Sequence, residues 1–456
     1  ERHGVQGKKI INEEGKMMDN CGKYAGLTTP EAREAIAKDM EDMGLIDHVD
    51  ENYENNLSVC SRCDTPIEPL PSKQWFVAVD KKLKRLGGES LKDKAIEVAV
   101  SGKIKFVPER FTKRYLDWMK NLHDWCISRQ IWFGHQIPVW YKGEEIFVGV
   151  EAPKEDGWVQ EQDVLDTWFS SGMWTFSTLG YPDWKAVDLK NYHPTQLLET
   201  GYEIITLWVS RMIMMSLFAL QEIPFENVYL HGMVLDKDGK KMSKSKGNGI
   251  DPLEMIAKYG TDATRMSLIV GNTPGNDTRM SEEKIADFRN FANKLWNISR
   301  FIQLQINNEQ LTINNGESRP EAKTLADKWI LNRLNETIKT VTENIEKFNF
   351  SLAGEQLRDF TWNELADWYL EIAKIEGNKG GILNYILETI LKLWHPFMPF
   401  VTERIWLEMN QVLGIRNQEL LMISRWPIFV KTPMDKFSED FELIKNIVTG
   451  IRSLRA

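Results

Sequence analysis

The clearest chemical signal in the chain is a lysine-rich run, Lys240-Lys241-Met242-Ser243-Lys244-Ser245-Lys246-Gly247-Asn248. It follows Asp236-Lys237-Asp238-Gly239, a sequence typical of a tight turn. Most lysine-rich loops are simply solvated. In this one the cations alternate with small hydroxyl side chains, and a glycine follows. The run therefore predicts a flexible cationic arm that suits a polyphosphate ligand.

Two further candidate groups lie at the ends of β-prone runs. Glu199-Thr200-Gly201-Tyr202-Glu203-Ile204-Ile205 follows one such run, and His231-Gly232 follows Val228-Tyr229-Leu230. Open α/β sheets bind nucleotides at the carboxyl ends of their strands. A carboxylate such as that of Glu203 accepts hydroxyl donors well. The alternatives are a helix N-terminal acid for Glu203 and a structural histidine for His231.

These segments resemble the class I aminoacyl-tRNA synthetases. Lys241-Met242-Ser243-Lys244-Ser245 matches the Lys-Met-Ser-Lys-Ser signature of that family in full. The resemblance implies that the loop closes over ATP, which Mg²⁺ accompanies. It also implies that Lys244, assisted by Lys241, neutralises charge on the phosphates as an amino-acid carboxylate attacks the α-phosphate. Such cations stabilise the transition state more than the ground state.

The same resemblance assigns an ATP site drawn from three segments. Its expected members are Gly201, Glu203, His231, Gly232, Met242, Ser243, Lys244 and Ser245. The Gly201 backbone and the Glu203 carboxylate are expected to hold the ribose hydroxyls. Valyl enzymes usually have Asp where this chain has Glu203. His231-Gly232 is expected to pack beside the adenine.

An amino-acid pocket is also implied. Asp163-Val164-Leu165-Asp166-Thr167-Trp168-Phe169-Ser170-Ser171 is similar to a signature of the valyl and isoleucyl enzymes, and Trp174 follows it. By resemblance, Trp174 and Ile204 form part of an apolar wall against the substrate side chain, although aromatic residues are more often plain core. The segments 166–171 and 200–205 fit the valyl subfamily better, so we expect valine as substrate. Isoleucine is the alternative.

Cys60-Ser61-Arg62-Cys63 is half of a zinc site by spacing, since a structural site needs four ligands. Cys21, Cys126, His48 or an acidic side chain could complete it. We nevertheless expect a free-thiol turn without zinc. Four cysteines in 456 residues make no disulfide framework, which favours a reducing compartment, the cytoplasm.

The predicted secondary structure around these residues changes along the chain. Short β-prone runs at 137–141, 196–199 and 228–231 alternate with helical stretches, a pattern that predicts an α/β fold with a parallel sheet. Later segments have helical periodicity and predict a bundle. They are 281–305, 325–348, 352–376 and 382–407.

The resemblance gives these parts a domain order. Residues 1–72, with a capped helix at 28–45, resemble the tail of an editing insertion. Residues 73–280 resemble the second half of the Rossmann-like catalytic domain, including its re-entry segment, Asp124-Trp125-Cys126-Ile127-Ser128-Arg129-Gln130. Residues 281–456 resemble the all-α anticodon-binding bundle, and 307–320 reads as a linker within it.

Composition limits the partners. A formal net charge of −9 argues against non-specific binding of nucleic acid. We therefore expect a tRNA to bind only at particular surfaces. The most apolar window, 204–220, contains Arg211 and is shorter than the roughly 20 residues that span a bilayer. We therefore expect a buried helix, no membrane association and a monomer.

One family signature does not occur in these 456 residues. Class I catalysis also uses a His-x-Gly-His sequence, and none is present. We therefore expect a partial chain that lacks the amino-terminal half of the catalytic domain and the carboxyl-terminal coiled coil, and that is not competent alone. The alternative from another functional class is a non-catalytic tRNA-binding fragment.

Overall fold

The structure is a computed structural model that describes residues 4, 7–60, 63–70, 72–242, 247–308, 319–413, 420–431 and 436–455. The chain divides into two compact units. One comprises Glu1–Ala78 with Asp124–Asp166, and the other Val79–His123 with Thr167–Ala456. The domain boundaries expected near residues 72 and 280 stay a prediction.

Regular elements cover most of the described chain. The α-helices are α1 (Thr29–Asp42), α2 (Leu91–Val100), α3 (Arg110–Lys120), α4 (Thr167–Gly172), α5 (Trp174–Ser177), α6 (Val187–Tyr192), α7 (Ser210–Ala219), α8 (Pro252–Tyr259), α9 (Thr261–Ile269), α10 (Glu282–Asn308), α11 (Leu325–Glu346), α12 (Phe350–Asp359), α13 (Leu370–Glu376), α14 (Gly380–Trp394), α15 (Pro399–Val412) and α16 (Lys436–Arg455). The strands are β1 (Phe76–Val77), β2 (Lys105–Val107), β3 (Trp125–Cys126), β4 (Ser128–Arg129), β5 (Val139–Lys142), β6 (Glu145–Val148), β7 (Val159–Gln160), β8 (Val164–Leu165), β9 (Thr195–Gly201), β10 (Phe225–His231), β11 (Val234–Leu235) and β12 (Thr278–Arg279).

A parallel sheet lies at the centre of the second unit. Its described strands run in the order β2-β10-β9, all parallel, with Leu198 opposite Val228 and Gly201 opposite His231. This confirms the α/β prediction. The run 137–141 was wrongly grouped with that sheet. Its strand, β5, lies between β6 and β7 in an antiparallel sheet of the first unit, because β5 and β6 are joined by a tight turn and not by a crossover helix.

The connection from β9 to β10 is a helical run. It begins as a 3₁₀ turn (Tyr202–Ile204), continues as a π-helix (Ile205–Val209) and ends as α7. Met212, Ile213 and Met214 of α7 are buried, as expected for a crossover helix that covers a parallel sheet. Residues 202–219 are long and apolar enough to span a membrane by length and composition, and half of this segment is buried in the protein. The prediction of a buried helix is therefore confirmed.

The second unit continues into a helical bundle, as predicted. Two expected helices differ in detail. The segment 382–407 is two helices, α14 and α15, because Pro396 and Pro399 lack the amide hydrogens that a continuous helix needs. The segment 352–376 is helical throughout, but its middle, Phe360–Tyr369, is a π-helix between α12 and α13. The expected linker at 307–320 lies mostly outside the described residues.

The bundle has a continuous apolar core. Trp329 and Trp394 are fully buried in it, and Trp394 lies against Phe291 with ring centroids 4.9 Å apart. The same core includes Ala263 and Met266 of α9, so the bundle packs onto the end of the α/β part. Asp262 strengthens this junction by accepting the amide hydrogens of Phe400 and Val401 at the start of α15, at 3.3 and 2.7 Å.

The first unit is built from short elements. Helix α1 begins with a capping box in which Thr28 accepts the Glu31 amide hydrogen and Glu31 accepts that of Thr28. This confirms the capped helix predicted at 28–45, although α1 ends at Asp42. Further along, β1 pairs with β3 and β4 pairs with β8, both antiparallel.

Candidate active site

The carboxyl ends of β9 and β10 bring two predicted site segments together. Gly201 and His231 are paired in register at the last position of each strand. The Glu203 carboxylate folds back over Gly201, where a Cβ atom would lie 2.4 Å from its Oε2. A larger residue at position 201 would therefore displace this carboxylate. The arrangement leaves Glu203 exposed at the edge of the sheet.

His231 is held by two polar contacts. Its Nδ1 lies 2.7 Å from the Gly232 carbonyl oxygen, so Nδ1 carries a hydrogen and donates it. Its Nε2 lies 3.3 Å from Oε1 of Glu199, two residues before Gly201 on β9. Both side chains are about half exposed to solvent, so this contact contributes at most about 1 kcal/mol. The contact orients the imidazole face at the strand end.

A loop after α9 closes over the end of β10. At Gly232 a Cβ atom would lie 1.8 Å from the Asn276 carbonyl oxygen, a separation that no side chain could accommodate. The Gly275 amide hydrogen binds the Leu230 carbonyl at 2.7 Å. Met233 donates its amide hydrogen to Asp277 Oδ1 at 2.8 Å. Glycine at position 232 is thus required by close backbone approach.

Asp277 also links this loop to β9. Its hydrogen bond with the Tyr202 hydroxyl, together with burial, raises the pKa of Tyr202. The Tyr202 ring stacks on Phe111 with centroids 5.6 Å apart. Asp277 and Tyr202 were not among the sequence-predicted site residues. Tyr202 lies within the candidate segment 199–205, but no local signal pairs it with Asp277, because their contact joins positions 75 apart in the sequence.

The lysine-rich loop has an ordered base. The Asp236 carboxylate accepts the amide hydrogens of Lys240 and Asp238 at 2.7 and 3.0 Å, and the Asn248 side-chain amide at 2.7 Å. These contacts hold the pKa of Asp236 below its usual value, with the Lys240 amide as the main cause. Gly239, at φ 79°, makes the turn. The sequence-predicted turn is therefore confirmed.

Asn248 also connects the two ends of the lysine-rich loop. Its Nδ2 donates to the Lys241 carbonyl oxygen at 3.2 Å. Lys241 is exposed, and Met242 packs against the apolar core. The predicted site residues Ser243, Lys244 and Ser245 lie outside the described residues. Their roles stay predictions.

The expected amino-acid wall lies on α5 and the crossover helix. Trp174 is 50% exposed, and its ring centroid lies 6.0 Å from that of Trp208. Trp208 donates its indole hydrogen to the Ser171 carbonyl at 3.1 Å. Ile204 is half-buried about one turn before Trp208. Trp174 therefore contacts the helical run that follows Ile204, and about half of its own surface is open to solvent.

The two signature segments 124–130 and 163–166 lie side by side in the first unit. Arg129 forms an ion pair with the buried Asp166 at 3.1 Å, and Trp125 donates its indole hydrogen to the same carboxylate at 3.3 Å. Gln130 donates to Asp163 at 2.8 Å. These charged side chains brace the β4–β8 pair, which is a structural role.

Cys60 and Cys63 flank two residues that lie outside the described part of the chain. The Asp64 amide hydrogen binds the Cys60 carbonyl at 2.9 Å, and the hydrogen bond with the Thr65 hydroxyl is the main cause that lowers the pKa of the Cys63 thiol. Across the described ranges, no cluster of three or more His, Cys, Asp and Glu side chains could hold a metal ion. The pair thus has no additional ligands within that part of the chain.

The sequence matches two family models. The model of class I tRNA synthetases (I, L, M and V) matches residues 8–156 and 150–281, and the model of the anticodon-binding domain of tRNA ligases matches residues 327–456. The chain is similar to the valine–tRNA ligase of Clostridium tetani, at 45% identity over 100% of this chain and 51% of the relative. The Bacillus subtilis valine–tRNA ligase is 41% identical, with the same coverage. The chain spans about half the length of these curated relatives.

Solved structures share the fold. The Mycobacterium tuberculosis methionyl-tRNA synthetase bound by methionyl-adenylate has a TM-score of 0.57 at 19% identity, covering 79% of this chain and 69% of its own. The Agrobacterium radiobacter K84 LeuRS, in a ternary complex with tRNA and LeuAMS, has a TM-score of 0.56 at 21% identity, covering 68% of this chain and 42% of its own.

Proposed function

We propose that this chain, which belongs to the class I tRNA synthetase family of the isoleucine, leucine, methionine and valine enzymes, acts in the ATP-dependent activation of valine and its transfer to tRNA. The observation that carries the proposal is the 41–45% identity to valine–tRNA ligases along the whole chain. The isoleucine alternative is not favoured by these relatives.

In the proposed reaction the valine carboxylate attacks the α-phosphorus of ATP. The bond from that phosphorus to the bridging oxygen breaks, and pyrophosphate leaves. Negative charge grows on the phosphate oxygens, so cations positioned there lower the barrier. Lys244 and Lys241 supply them, and Ser243 and Ser245 line the phosphates, next to Met242, whose side chain packs against the apolar core. Mg²⁺ bound to the nucleotide would supply further positive charge at the phosphates.

The strand ends hold the nucleoside in this proposal. The Gly201 backbone and the Glu203 carboxylate bind the ribose hydroxyls, and His231-Gly232 packs beside the adenine. The exposure of Glu203 at the sheet edge supports this role, because its carboxylate is open to a ligand. Asp277 ties Tyr202 to Met233 and so keeps the two strand ends in fixed register. Trp174 and Ile204 face the valine side chain.

The transfer step attaches the activated valine to a terminal ribose hydroxyl of tRNA and releases AMP. The helical bundle is proposed to bind the anticodon arm, in keeping with its match to the anticodon-binding family model. Cytoplasmic location and a monomeric state complete the proposal.

Charging of unfractionated tRNA tests this function directly. The assay needs the complete enzyme, meaning this chain within a polypeptide that also carries the His-x-Gly-His segment. Valine, isoleucine, leucine and methionine are offered separately, because the family includes all four specificities. We expect stable charging with valine alone. Charging with another of the four, or binding of tRNA without any charging, would contradict the proposal.

A further inference from the structure

His193 joins three elements behind the expected amino-acid wall. Its Nδ1 lies 3.3 Å from the carbonyl oxygen of Thr175 on α5, and its Nε2 lies 3.3 Å from Oγ of Ser216 on α7. Ser216 Oγ in turn lies 2.8 Å from the Glu222 carbonyl oxygen in the turn after α7. Ser216 is fully buried and Thr175 nearly so. A chain of polar contacts therefore connects the crossover helix to the residue that follows Trp174.

The number of hydrogens decides which contacts can form together. A carbonyl oxygen only accepts, and the Ser216 hydroxyl has one hydrogen to donate. If Ser216 donates to Glu222, then both ring nitrogens of His193 must carry hydrogens to satisfy Thr175 and Ser216. A neutral ring carries only one. While the His193 ring is neutral, only two of the three hydrogen bonds can therefore form at the same time.

Electrostatics selects the neutral ring near pH 7. Burial is the largest influence and lowers the pKa of His193 below 6.5. The Thr175 carbonyl and the charge of Glu222 act in the opposite direction but do not outweigh it. In the neutral ring, a bare Nδ1 would face the lone pairs of a carbonyl, which is repulsive. A bare Nε2 can instead accept the Ser216 hydrogen. The tautomer with hydrogen on Nδ1 is thus favoured, and the tie to Thr175 is kept.

Helix α5 depends on contacts with its surroundings, of which the hydrogen bond to His193 is one. It is four residues long and has no side-chain cap at Met173. Phe176 anchors it in a small apolar cluster with Leu189 and Leu220, apart from the main core. Trp174 itself is half exposed. Since so short a helix is not stable alone, a single hydrogen bond to its backbone has a large share in fixing it.

We propose that His193 is a positioning residue of the amino-acid pocket, whose Nδ1 hydrogen holds the Thr175 carbonyl and so fixes the wall that carries Trp174. This rests on the proposed function, because the wall is part of that proposal.

Two amide variants separate the two ring nitrogens. In His193→Asn the amide nitrogen takes roughly the place of Nδ1, and in His193→Gln it takes roughly the place of Nε2. In pyrophosphate exchange by the complete enzyme, His193→Gln is expected to raise KM for valine about three- to tenfold, the size of one hydrogen bond, with kcat changed less than about twofold. His193→Asn is expected to restore KM to within about twofold of the parent. Ser216→Ala leaves the Thr175 tie intact and should lower the thermal midpoint without raising KM.

A merely structural role would lower the thermal midpoints of the Asn and Gln variants alike and leave their KM values equal, which would overturn the proposal. The comparison is made for whichever amino acid the complete enzyme activates. Activation of isoleucine would therefore contradict the proposed function, but the KM values of the two His193 variants could still be compared. Valine activation with equal KM in the two variants would overturn the role of His193 alone.

Discussion

At the residue scale, the proposed reaction depends on lysine cations that neutralise the negative charge growing on the phosphate oxygens. Lys244→Ala in the complete enzyme is expected to slow valine activation by at least about a hundredfold, because losing one positioned charge partner costs about 3 kcal/mol in the transition state. KM for valine should change little. Stopped-flow or exchange kinetics measures both. Lys237→Ala, an exposed lysine in the preceding turn, is the matched control. A Lys244→Ala rate within twofold of the parent would remove Lys244 from the catalytic set.

Individual site residues differ in how far the sequence could reveal them. Gly201, His231 and the lysine-rich run lie in local motifs at strand ends, so their types and spacing were informative. Asp277 and His193 act through partners that are distant in the chain, Tyr202 and Ser216. No periodicity or motif specifies such pairs, because they depend on how strands and loops pack in three dimensions.

At the element scale, a buried ion pair stabilises the helical bundle. Lys379 is 6% exposed and donates to Asp327, which is 1% exposed, at 2.8 Å. The Tyr369 hydroxyl also donates to Asp327 at 2.8 Å. Burial alone would raise the pKa of Asp327, but the hydrogen bonds from Lys379 and Tyr369 outweigh it and hold that pKa below its usual value.

Lys379→Met is expected to reduce the free energy of unfolding by about 3–5 kcal/mol, since it leaves the buried Asp327 carboxylate without its cation. Urea unfolding followed by the helical circular dichroism signal measures this. Arg404→Ala, which removes a surface pair with Glu408, should cost less than about 1 kcal/mol. Equal losses of unfolding free energy in the two variants would show that the buried ion pair contributes no more to stability than the surface pair.

The same carboxylate predicts a pH dependence. Its folded-state pKa is lower than its ordinary value of 3.8, so its contribution to stability is fully present above that value and is lost as pH falls through the folded-state pKa. In Lys379→Met the difference from the parent should therefore shrink as the pH is lowered below about 4. A difference that stays constant down to pH 2 would contradict the assignment.

Helices were easier to predict than their interruptions. The apolar periodicity of 281–305 and 325–348 agrees closely with α10 and α11. The π-helix at Phe360–Tyr369 escaped prediction, because it keeps a helical apolar pattern while its hydrogen bonds shift by one residue. The antiparallel pairing of β5 was not predicted for another reason. A short β-prone run does not specify its partner strand.

At the scale of the whole molecule, the chain combines a parallel sheet, whose strand ends are proposed to form the back of a nucleotide site, with a helical bundle. The 456-residue chain alone is expected to show no valine-dependent pyrophosphate exchange. It contains no His-x-Gly-His sequence, and three parallel strands are found in its described part. The assay is isotopic exchange with the purified chain. Exchange that copurifies with the chain and disappears in its Lys244→Ala variant would overturn this expectation.

The identity of the amino acid is measured by kcat/KM for pyrophosphate exchange by the complete enzyme. Valine, isoleucine and threonine are compared under the same conditions. We expect valine to be preferred strongly over isoleucine, because in the proposed pocket the wall containing Trp174 and Ile204 would leave no room for another methylene. Threonine should be rejected less well, since an apolar pocket discriminates poorly against a hydroxyl isostere; valyl-tRNA synthetase against threonine, at about a hundredfold, is itself the standard case of this rule. Isoleucine as the best substrate would contradict the account.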